Sequence, residues 1–316
     1  MPQHWVGRNG SSLGRVLVTA LALVLAGGYV QLHLTTVAAS PAITGAAEAA
    51  RLQLAHSHGL VATTAQASKF GGNARWETGT LVIPGTIDED ARVFLYVAQR
   101  HGSNWTAQVE GSSDFALLAE QGYAALAGTA SAELLATTAV ATAGGGSASL
   151  SLPWASGTTW RLTGGPHSYN GRKSSPWSSL DFAGPRPNMT VKVRAARAGI
   201  VVRPCANLVQ VRHAGGWTTS YYHLNYIGVR AGQSVARGAF LGYTSTAAGC
   251  GGRATGPHVH FSLLKYGSYV NIRNHTIGGW TVREGSSQYQ GCLVKHAQRR
   301  CVPRAWIYNQ GSIGDK

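Results

Sequence analysis

Apolar and polar residues follow two different periodicities along this chain, and each periodicity predicts one kind of secondary structure. Residues 41–70 are rich in alanine with a helical spacing, and residues 114–137 combine alanine and leucine at the same spacing. Three strand-like runs lie between them, at 80–83, 92–97 and 105–109. We therefore expect a small α+β unit over residues 41–140.

Beyond residue 150 the pattern is one of many short strands separated by glycine-rich turns. The strand-like runs are 191–194, 199–203, 208–213, 217–223, 240–243 and 258–264. The sequence of this region contains no convincing amphipathic helix of ten or more residues. It therefore predicts a mainly β domain with an antiparallel sheet and long loops. The small residues of 141–149 predict a flexible, exposed linker in front of it.

The first 39 residues have the organisation of an export signal. Arg8 and Arg15 precede the apolar run 16–30, which is shorter than the roughly 20 residues of a membrane span. Val37-Ala38-Ala39 is a small-residue sequence suited to cleavage. A retained signal anchor is the alternative. Both interpretations place the rest of the chain outside the cytoplasm, secreted or periplasmic, with membrane contact only through this segment.

Charge is divided unevenly along the chain. Residues 41–150 contain five basic and nine acidic residues, whereas residues 151–316 contain twenty basic and three acidic ones. Such a basic region favours an anionic partner. We do not expect that partner to be a nucleic acid, because the basic residues are scattered over strands without a recognised nucleic-acid motif, and because the chain carries an export signal.

The four cysteines, Cys205, Cys250, Cys292 and Cys301, all lie in the basic region. An even number of cysteines in an exported chain predicts two disulfides, for which three pairings exist. The short spacing of Cys292 and Cys301 favours a local pair there, with Cys205–Cys250 as the other. A zinc site made of thiolates is the competing interpretation, but no C-x-x-C spacing supports it.

Candidate chemistry in the basic region rests on histidines and one carboxylate. His258 and His260 alternate within a strand-like run, so they face the same side of a sheet. Asp181 is the only carboxylate between residues 151 and 283, and its apolar neighbours predict partial burial, which calls for a metal or an arginine as counter-charge. His167 precedes it in an expected loop, and His223 ends another strand-like run. Two histidines and one aspartate leave a fourth zinc position open for water, as in catalytic sites.

Three segments resemble the motifs of a known family. These segments are His167-Ser-Tyr-Asn-Gly with Leu180-Asp181, Tyr221-Tyr-His223-Leu, and Gly256-Pro-His258-Val-His260-Phe. They are similar to motifs of the lysostaphin-type zinc metallopeptidases, most closely to the branch of staphylolysin and β-lytic metalloendopeptidase. The resemblance covers about residues 150–310. It departs from the branch at Ala254, where serine is more usual.

The resemblance implies a role for each matching residue. It assigns His167, Asp181 and His260 to the zinc ion, and His223 and His258 to catalysis on the attacking water. Tyr222 and Tyr289 are expected to bind substrate, with structural packing as the alternative for both. Tyr289 resembles a family position near the substrate groove.

The resemblance also implies a function and a domain organisation. The expected domains are a signal peptide or signal anchor at 1–39, a propeptide at 40–147 and a zinc metallopeptidase domain at 148–316. The expected activity is that of a monomeric zinc metalloendopeptidase that cleaves glycyl bonds in the cross-bridges of bacterial peptidoglycan. Its own acidic propeptide is the expected inhibitor or chaperone. A non-catalytic wall-binding or regulatory module on the same fold, and a wall carboxypeptidase, remain alternatives.

Overall fold

The computed structural model describes residues 43–60, 64–86, 89, 91–139, 149–303 and 305–311. The export signal expected at 1–39 and most of the linker expected at 141–149 lie outside the described residues. Within the described residues, no helix is both long enough and apolar enough to span a membrane. An N-terminal part (43–139) and a C-terminal part (149–311) belong to the same compact unit.

The N-terminal part is a four-stranded antiparallel sheet with helices on both faces. Its elements are α1 (Ala46–His58), β1 (Gln66–Gly72), β2 (Trp76–Ile83), β3 (Arg92–His101), β4 (Asn104–Val109), α2 (Phe115–Ala125) and α3 (Ala130–Ala139). The strands are paired in sequence order. Alternate residues of β3 face opposite sides of the sheet: Phe94 and Tyr96 pack in the cluster that contains α1, whereas Leu95 and Val97 pack with α2 and α3.

The α+β prediction for this region is confirmed, with two differences. Residues 66–70 were expected to be helical but form β1, because pairing with β2 overrides the local preference for helix. Helix α1 instead ends at His58 and is capped by Gly59, which adopts the left-handed conformation with φ of +62°. The helical run 114–137 is divided into two helices at a turn where Gly128 has φ of +78°.

The C-terminal part consists of strands and loops. Its strands are β5 (Thr159–His167), β6 (Ser179–Ala183), β7 (Lys192–Arg194), β8 (Gly199–Cys205), β9 (Leu208–His213), β10 (Trp217–Tyr222), β11 (Leu224–Asn225), β12 (Ser234–Val235), β13 (Phe240–Thr244), β14 (Val259–Lys265), β15 (Ser268–Tyr269), β16 (Thr276–Ile277), β17 (Trp280–Glu284), β18 (Gly291–Lys295), β19 (Gln298–Cys301) and β20 (Ala305–Tyr308). No helix occurs among the described residues of this part, and every strand pair is antiparallel. The prediction of a mainly β, antiparallel domain is confirmed.

The largest sheet has the strand order β12-β8-β9-β10-β14-β6-β5-β20, with β15 paired to β14. Two smaller sheets, β11-β13-β7 and β16-β17-β18-β19, complete the part. In the centre of the large sheet, Leu180 and Phe182 on β6 and Phe261 on β14 are fully buried in the core. Each such side chain contributes about 1.5–3 kcal/mol. Because side chains alternate along a strand, this burial fixes the intervening residues on the opposite face of the sheet.

Two disulfides link the C-terminal part, with the pairing favoured from the sequence. Cys205–Cys250 connects the end of β8 to the loop that precedes β14. Cys292–Cys301 joins directly opposite positions of β18 and β19.

Candidate metal centre

Four adjacent strands of the large sheet, β10, β14, β6 and β5, carry the site. His223 follows the last residue of β10, and His258 immediately precedes β14. His260 on β14 lies directly opposite Asp181 on β6. His167 is the last residue of β5. The fold therefore brings together all five residues that were expected to form the metal and catalytic site.

Irregular pairing of β5 with β6 explains how His167 reaches Asp181. Gly164 lies opposite Asp181, and the register shifts by one residue on each side of Gly164, so that His167 pairs with Ser179. Bulges of this kind redirect side chains and are common beside active sites. His167 thus ends a bulged strand, whereas the sequence predicted a loop.

The potential ligand atoms of His167, Asp181 and His260 converge. His260 Nδ1 lies 3.1 Å from Asp181 Oδ1 and 3.2 Å from His167 Nε2, and His167 Nε2 lies 3.6 Å from Asp181 Oδ1. Ligand atoms of a tetrahedral ion with bonds of about 2.0–2.1 Å lie about 3.3 Å apart. The observed separations fit such an ion, and these three residues form a group able to hold a metal.

The surroundings of Asp181 favour its charged form. Burial by itself raises the pKa of Asp181, but the facing imidazoles of His167, His260 and His258 outweigh it and hold the pKa well below its usual value. Among the described residues, the ion-pair partners of Asp181 are these three histidines and no arginine. This arrangement favours the metal interpretation over the arginine alternative.

Backbone carbonyl groups fix the orientation of three imidazoles. Nδ1 of His167 donates to Gly165 O at 2.8 Å. Nδ1 of His223 donates to Ala247 O at 2.9 Å, and Nδ1 of His258 donates to Gly256 O at 2.8 Å. A carbonyl oxygen can only accept, so in each neutral ring the proton lies on Nδ1 and Nε2 is the basic nitrogen. Such partners hold metal ligands and catalytic histidines in one tautomer.

His223 and His258 lie beside the three potential ligands and are linked to each other. Their ring centroids are 4.8 Å apart, and Nε2 of His258 is 3.5 Å from Asp181 Oδ1. Ser245 connects the two: its amide and hydroxyl both donate to His223 O, and its own carbonyl accepts from the amide of His258. His223 adopts an uncommon left-handed conformation with φ of +59°, which these bonds stabilise.

The two tyrosines occupy different positions relative to the groove. Tyr289 is 53% exposed, lines the groove and stacks on His167 with ring centroids 4.0 Å apart. Tyr222 is buried; its hydroxyl donates to Gly251 O at 2.5 Å and accepts from the amide of Cys250. Tyr222 therefore positions the loop at 250–252, and a direct role of either tyrosine in substrate binding stays a prediction.

A groove of about 710 Å³ is lined by the three potential ligands and by His223 and His258. Residues 168–172 and 252–255 also line it. Sequence reasoning missed the supporting residues Gly164, Ser245 and Arg172. Gly164 and Ser245 act through strand pairing, and the sequence contains no local signal for that. Arg172, which lines the groove, comes immediately after the Ser168-Tyr-Asn-Gly run that follows His167.

Parts of the chain that include the site are similar in sequence to known proteins. Residues 175–272 match Peptidase family M23. The chain is 32% identical over 164 residues to beta-lytic metalloendopeptidase of Lysobacter enzymogenes, and this match covers 48% of the chain and 92% of that protein. The chain belongs to peptidase family M23. The expected resemblance to the branch that contains β-lytic metalloendopeptidase is confirmed.

Two further relatives are longer proteins, and this chain matches less than half of the length of each. Protease LasA of Pseudomonas aeruginosa is 36% identical over 170 residues, which are 52% of this chain and 38% of LasA. Peptidoglycan DD-endopeptidase ShyA of Vibrio cholerae is 36% identical over 111 residues, which are 34% of this chain and 24% of ShyA. The matched M23 region includes Asp181, His223, His258 and His260 but begins after His167. The place of His167 therefore rests on the geometry of this structure.

Proposed function

We propose that this chain is an exported zinc metalloendopeptidase, made as a proenzyme, that hydrolyses glycyl peptide bonds in the cross-bridges of bacterial peptidoglycan. The observation that carries the proposal is the convergence of His167 Nε2, Asp181 Oδ1 and His260 Nδ1 within 3.6 Å of one another. Two neutral imidazoles and one carboxylate are a donor set that zinc prefers, and three protein ligands leave a coordination position for water.

The residues around the three ligands supply the acid–base chemistry. A zinc ion held there would lower the pKa of its bound water to about 7 and polarise the carbonyl group under attack. His223 and His258 keep Nε2 as their basic nitrogen, because Nδ1 of each donates to a carbonyl group. One of them accepts a proton at Nε2 and delivers it to the leaving amine nitrogen. The other, when protonated, donates to the oxygen that gains negative charge.

Peptidoglycan as substrate is supported by charge and by a relative. The twenty basic residues of 151–316 suit a wall that carries anionic polymers, because long-range attraction raises the rate of encounter. One of the relatives is named as a peptidoglycan endopeptidase. A glycyl bond suits the groove, since a residue without a side chain allows the peptide backbone to come close to a metal held by Asp181 and the two histidines.

The proposal includes maturation and location. Residues 1–39 would direct export to the medium or the periplasm, and residues 40–147 would be the propeptide of a monomeric enzyme at 148–316. The unequal charge of the two regions and the packing of 43–139 against 149–311 support this division. Cleavage is expected in the small-residue linker, between Gly144 and Ser149.

Digestion of purified peptidoglycan by the matured enzyme tests the proposal. The full chain would be produced, cut in its linker and freed of its N-terminal part by further proteolysis. We expect mass spectrometry to show released peptides with new ends at glycine, and both a chelator and His260→Ala to abolish release. His296→Ala, which changes an exposed histidine, is the matched control and should be active. Wall binding without product release by zinc-loaded enzyme would instead establish the non-catalytic module.

A further inference from the structure

The N-terminal and C-terminal parts share apolar clusters across their boundary. Ile200 and Val202 on β8 pack in the same cluster as Leu95 and Val97 on β3 and the residues of α2 and α3. A second shared cluster joins Val82 and Val93 of the N-terminal part to Leu208, Tyr222 and Cys250. Separation of the two parts would expose both sets to water, so this contact is one of packed side chains and not only of opposite net charges.

A buried ion pair crosses the same boundary. Arg212 Nη1 lies 2.7 Å from each carboxylate oxygen of Glu110, and both side chains are at most 2% exposed. Glu110 also accepts from the amide of Leu95, and Arg212 also donates to Gln210. Gly267 leaves the space that the carboxylate occupies, because a Cβ there would lie 2.8 Å from Glu110 Oε2. The C-terminal part thus has a fitted recess for a carboxylate that the N-terminal part provides.

The N-terminal part also contacts residues that line the groove. Gly85 donates to Cys250 O at 3.0 Å, and the amide of Gly252 donates to Thr86 O at 2.5 Å. Glu89 forms an ion pair with Arg172 at 3.2 Å. Gly252 and Arg172 both line the groove that the potential metal ligands also line. Contacts with these lining residues restrict the approach of a long polymeric substrate.

These contacts differ in how salt affects them. The Glu89–Arg172 pair is open to solvent, with 70% of Arg172 and 34% of Glu89 exposed, and is therefore weak and easily screened. The Glu110–Arg212 pair is excluded from water, so dissolved ions screen it little, and apolar burial is not weakened by moderate salt. A prosegment held only by opposite net charges would dissociate in salt, whereas this one is expected to stay.

We propose that, after the linker is cut, residues 43–139 remain bound as a non-covalent inhibitory subunit anchored by the Glu110–Arg212 pair. This inference rests on the proposed peptidase function. Cleavage of the linker is then necessary but not sufficient for activity, and the N-terminal part must itself be digested or removed. The binding surface for this partner is the recess at Arg212 together with the apolar residues of β8 and β9.

The test uses the full chain with a thrombin recognition sequence placed within residues 140–148. After cutting, gel filtration at 0.15 M and 1 M NaCl measures association, and digestion of peptidoglycan measures activity. We expect the two fragments to elute together at both salt concentrations, with activity still at the level of the uncut chain. Separation of the fragments at either salt concentration, or full activity of the intact complex, would overturn the proposal.

Two matched variants test the anchor. Glu110→Gln leaves Arg212 buried without a counter-charge and should weaken association of the cut fragments on the order of a hundredfold, so that activity appears on cutting. Glu120→Gln makes the same chemical change at an exposed position of α2 and should behave like the unmodified chain. Equal dissociation constants for the two variants would refute the anchoring role.

The readouts separate failure of this inference from failure of the proposed function. Co-elution of the two fragments does not depend on catalysis. Because co-elution is measured on the chain without the Glu110→Gln change, it still tests the association if that variant fails to fold. Complete digestion of the N-terminal part provides the reference activity. If the enzyme freed of its N-terminal part is inactive with zinc bound, the proposed peptidase function fails, and the inhibitory role fails with it. The association of the two fragments is still judged from their elution.

Discussion

Replacement of Gly164 by alanine is expected to weaken metal binding while the fold is retained. Gly164 lies opposite Asp181 on the neighbouring strand, and the carboxylate occupies the space in front of it. A Cβ added at Gly164 would lie 3.0 Å from Asp181 Cγ and 3.1 Å from Asp181 Cβ, and would overlap Oδ2. Ordinary contacts between carbon atoms begin at about 3.5 Å, so the carboxylate must move by about 0.5 Å or more.

A movement of this size exceeds what a metal site tolerates. Distances between ligands and metal are held to about 0.2 Å in well-formed sites. Changes that disturb the support of a ligand typically cost about 10–100-fold in metal affinity. We therefore expect the zinc affinity of Gly164→Ala to fall by about 10–100-fold, equivalent to about 1.4–2.8 kcal/mol.

Competition with a chromogenic zinc chelator would measure this affinity, and circular dichroism would verify the fold. Gly45→Ala is the matched control, because its added Cβ meets no atom within 4 Å. Asp181→Asn provides the reference for loss of the ligand's charge without a change of shape. Unaltered zinc affinity in a folded Gly164→Ala protein would show that Asp181 does not need the space left by Gly164. The proposed role of Gly164 in positioning this ligand would then be wrong.

Three other predictions concern catalysis, pH and the covalent links. His223→Asn should retain zinc but lose about 10²–10⁴-fold in peptidoglycan hydrolysis, since it removes a proton carrier and no ligand; loss of bound zinc would contradict this role. Burial lowers the pKa of His213 to about 4, so the folded protein keeps this ring neutral while the unfolded chain, with a pKa near 6.5, takes up a proton. The free energy of unfolding should therefore fall as pH drops from 6.5 to 4, by up to about 3 kcal/mol from this group. Urea unfolding of His213→Gln should show a smaller loss over the same pH range. An equal pH dependence in the two proteins would refute the role of His213. Removal of the Cys205–Cys250 disulfide, which spans 45 residues, should cost about 4 kcal/mol in urea unfolding under oxidising conditions, and an unchanged midpoint would contradict the loop-entropy argument.

Residues with a strong local signal were predicted well from the sequence. The alternation of His258 and His260 places both on one face of a strand whatever the topology, and Asp181 stands out because acidic residues are rare near it. Paired strands then place Asp181 opposite His260. The pattern also predicts the mainly β C-terminal part, because its strands are short runs of apolar and β-branched residues between glycine-rich turns.

Features that depend on contacts between distant segments could not be predicted. The end of β5 contains Gly164-Gly165-Pro166, which indicates a loop locally, and only its pairing with β6 shows that His167 lies on a bulged strand. Gly164 matters because of the residue opposite it on another strand. The Glu110–Arg212 pair joins residues 102 positions apart, and the sequence revealed only the opposite net charges of their two regions.

Stepwise addition of zinc to metal-free enzyme tests the central claim most directly. The claim is that His167, Asp181 and His260 hold one zinc ion that peptidoglycan hydrolysis requires. Matured enzyme would be stripped with a chelator, titrated with zinc, and assayed for bound metal and released peptides at each step. We predict that hydrolysis rises in proportion to bound zinc and reaches its maximum at one ion per chain, and that His260→Ala shows neither response. Hydrolysis by metal-free enzyme, or an unchanged stoichiometry in His260→Ala, would contradict the account.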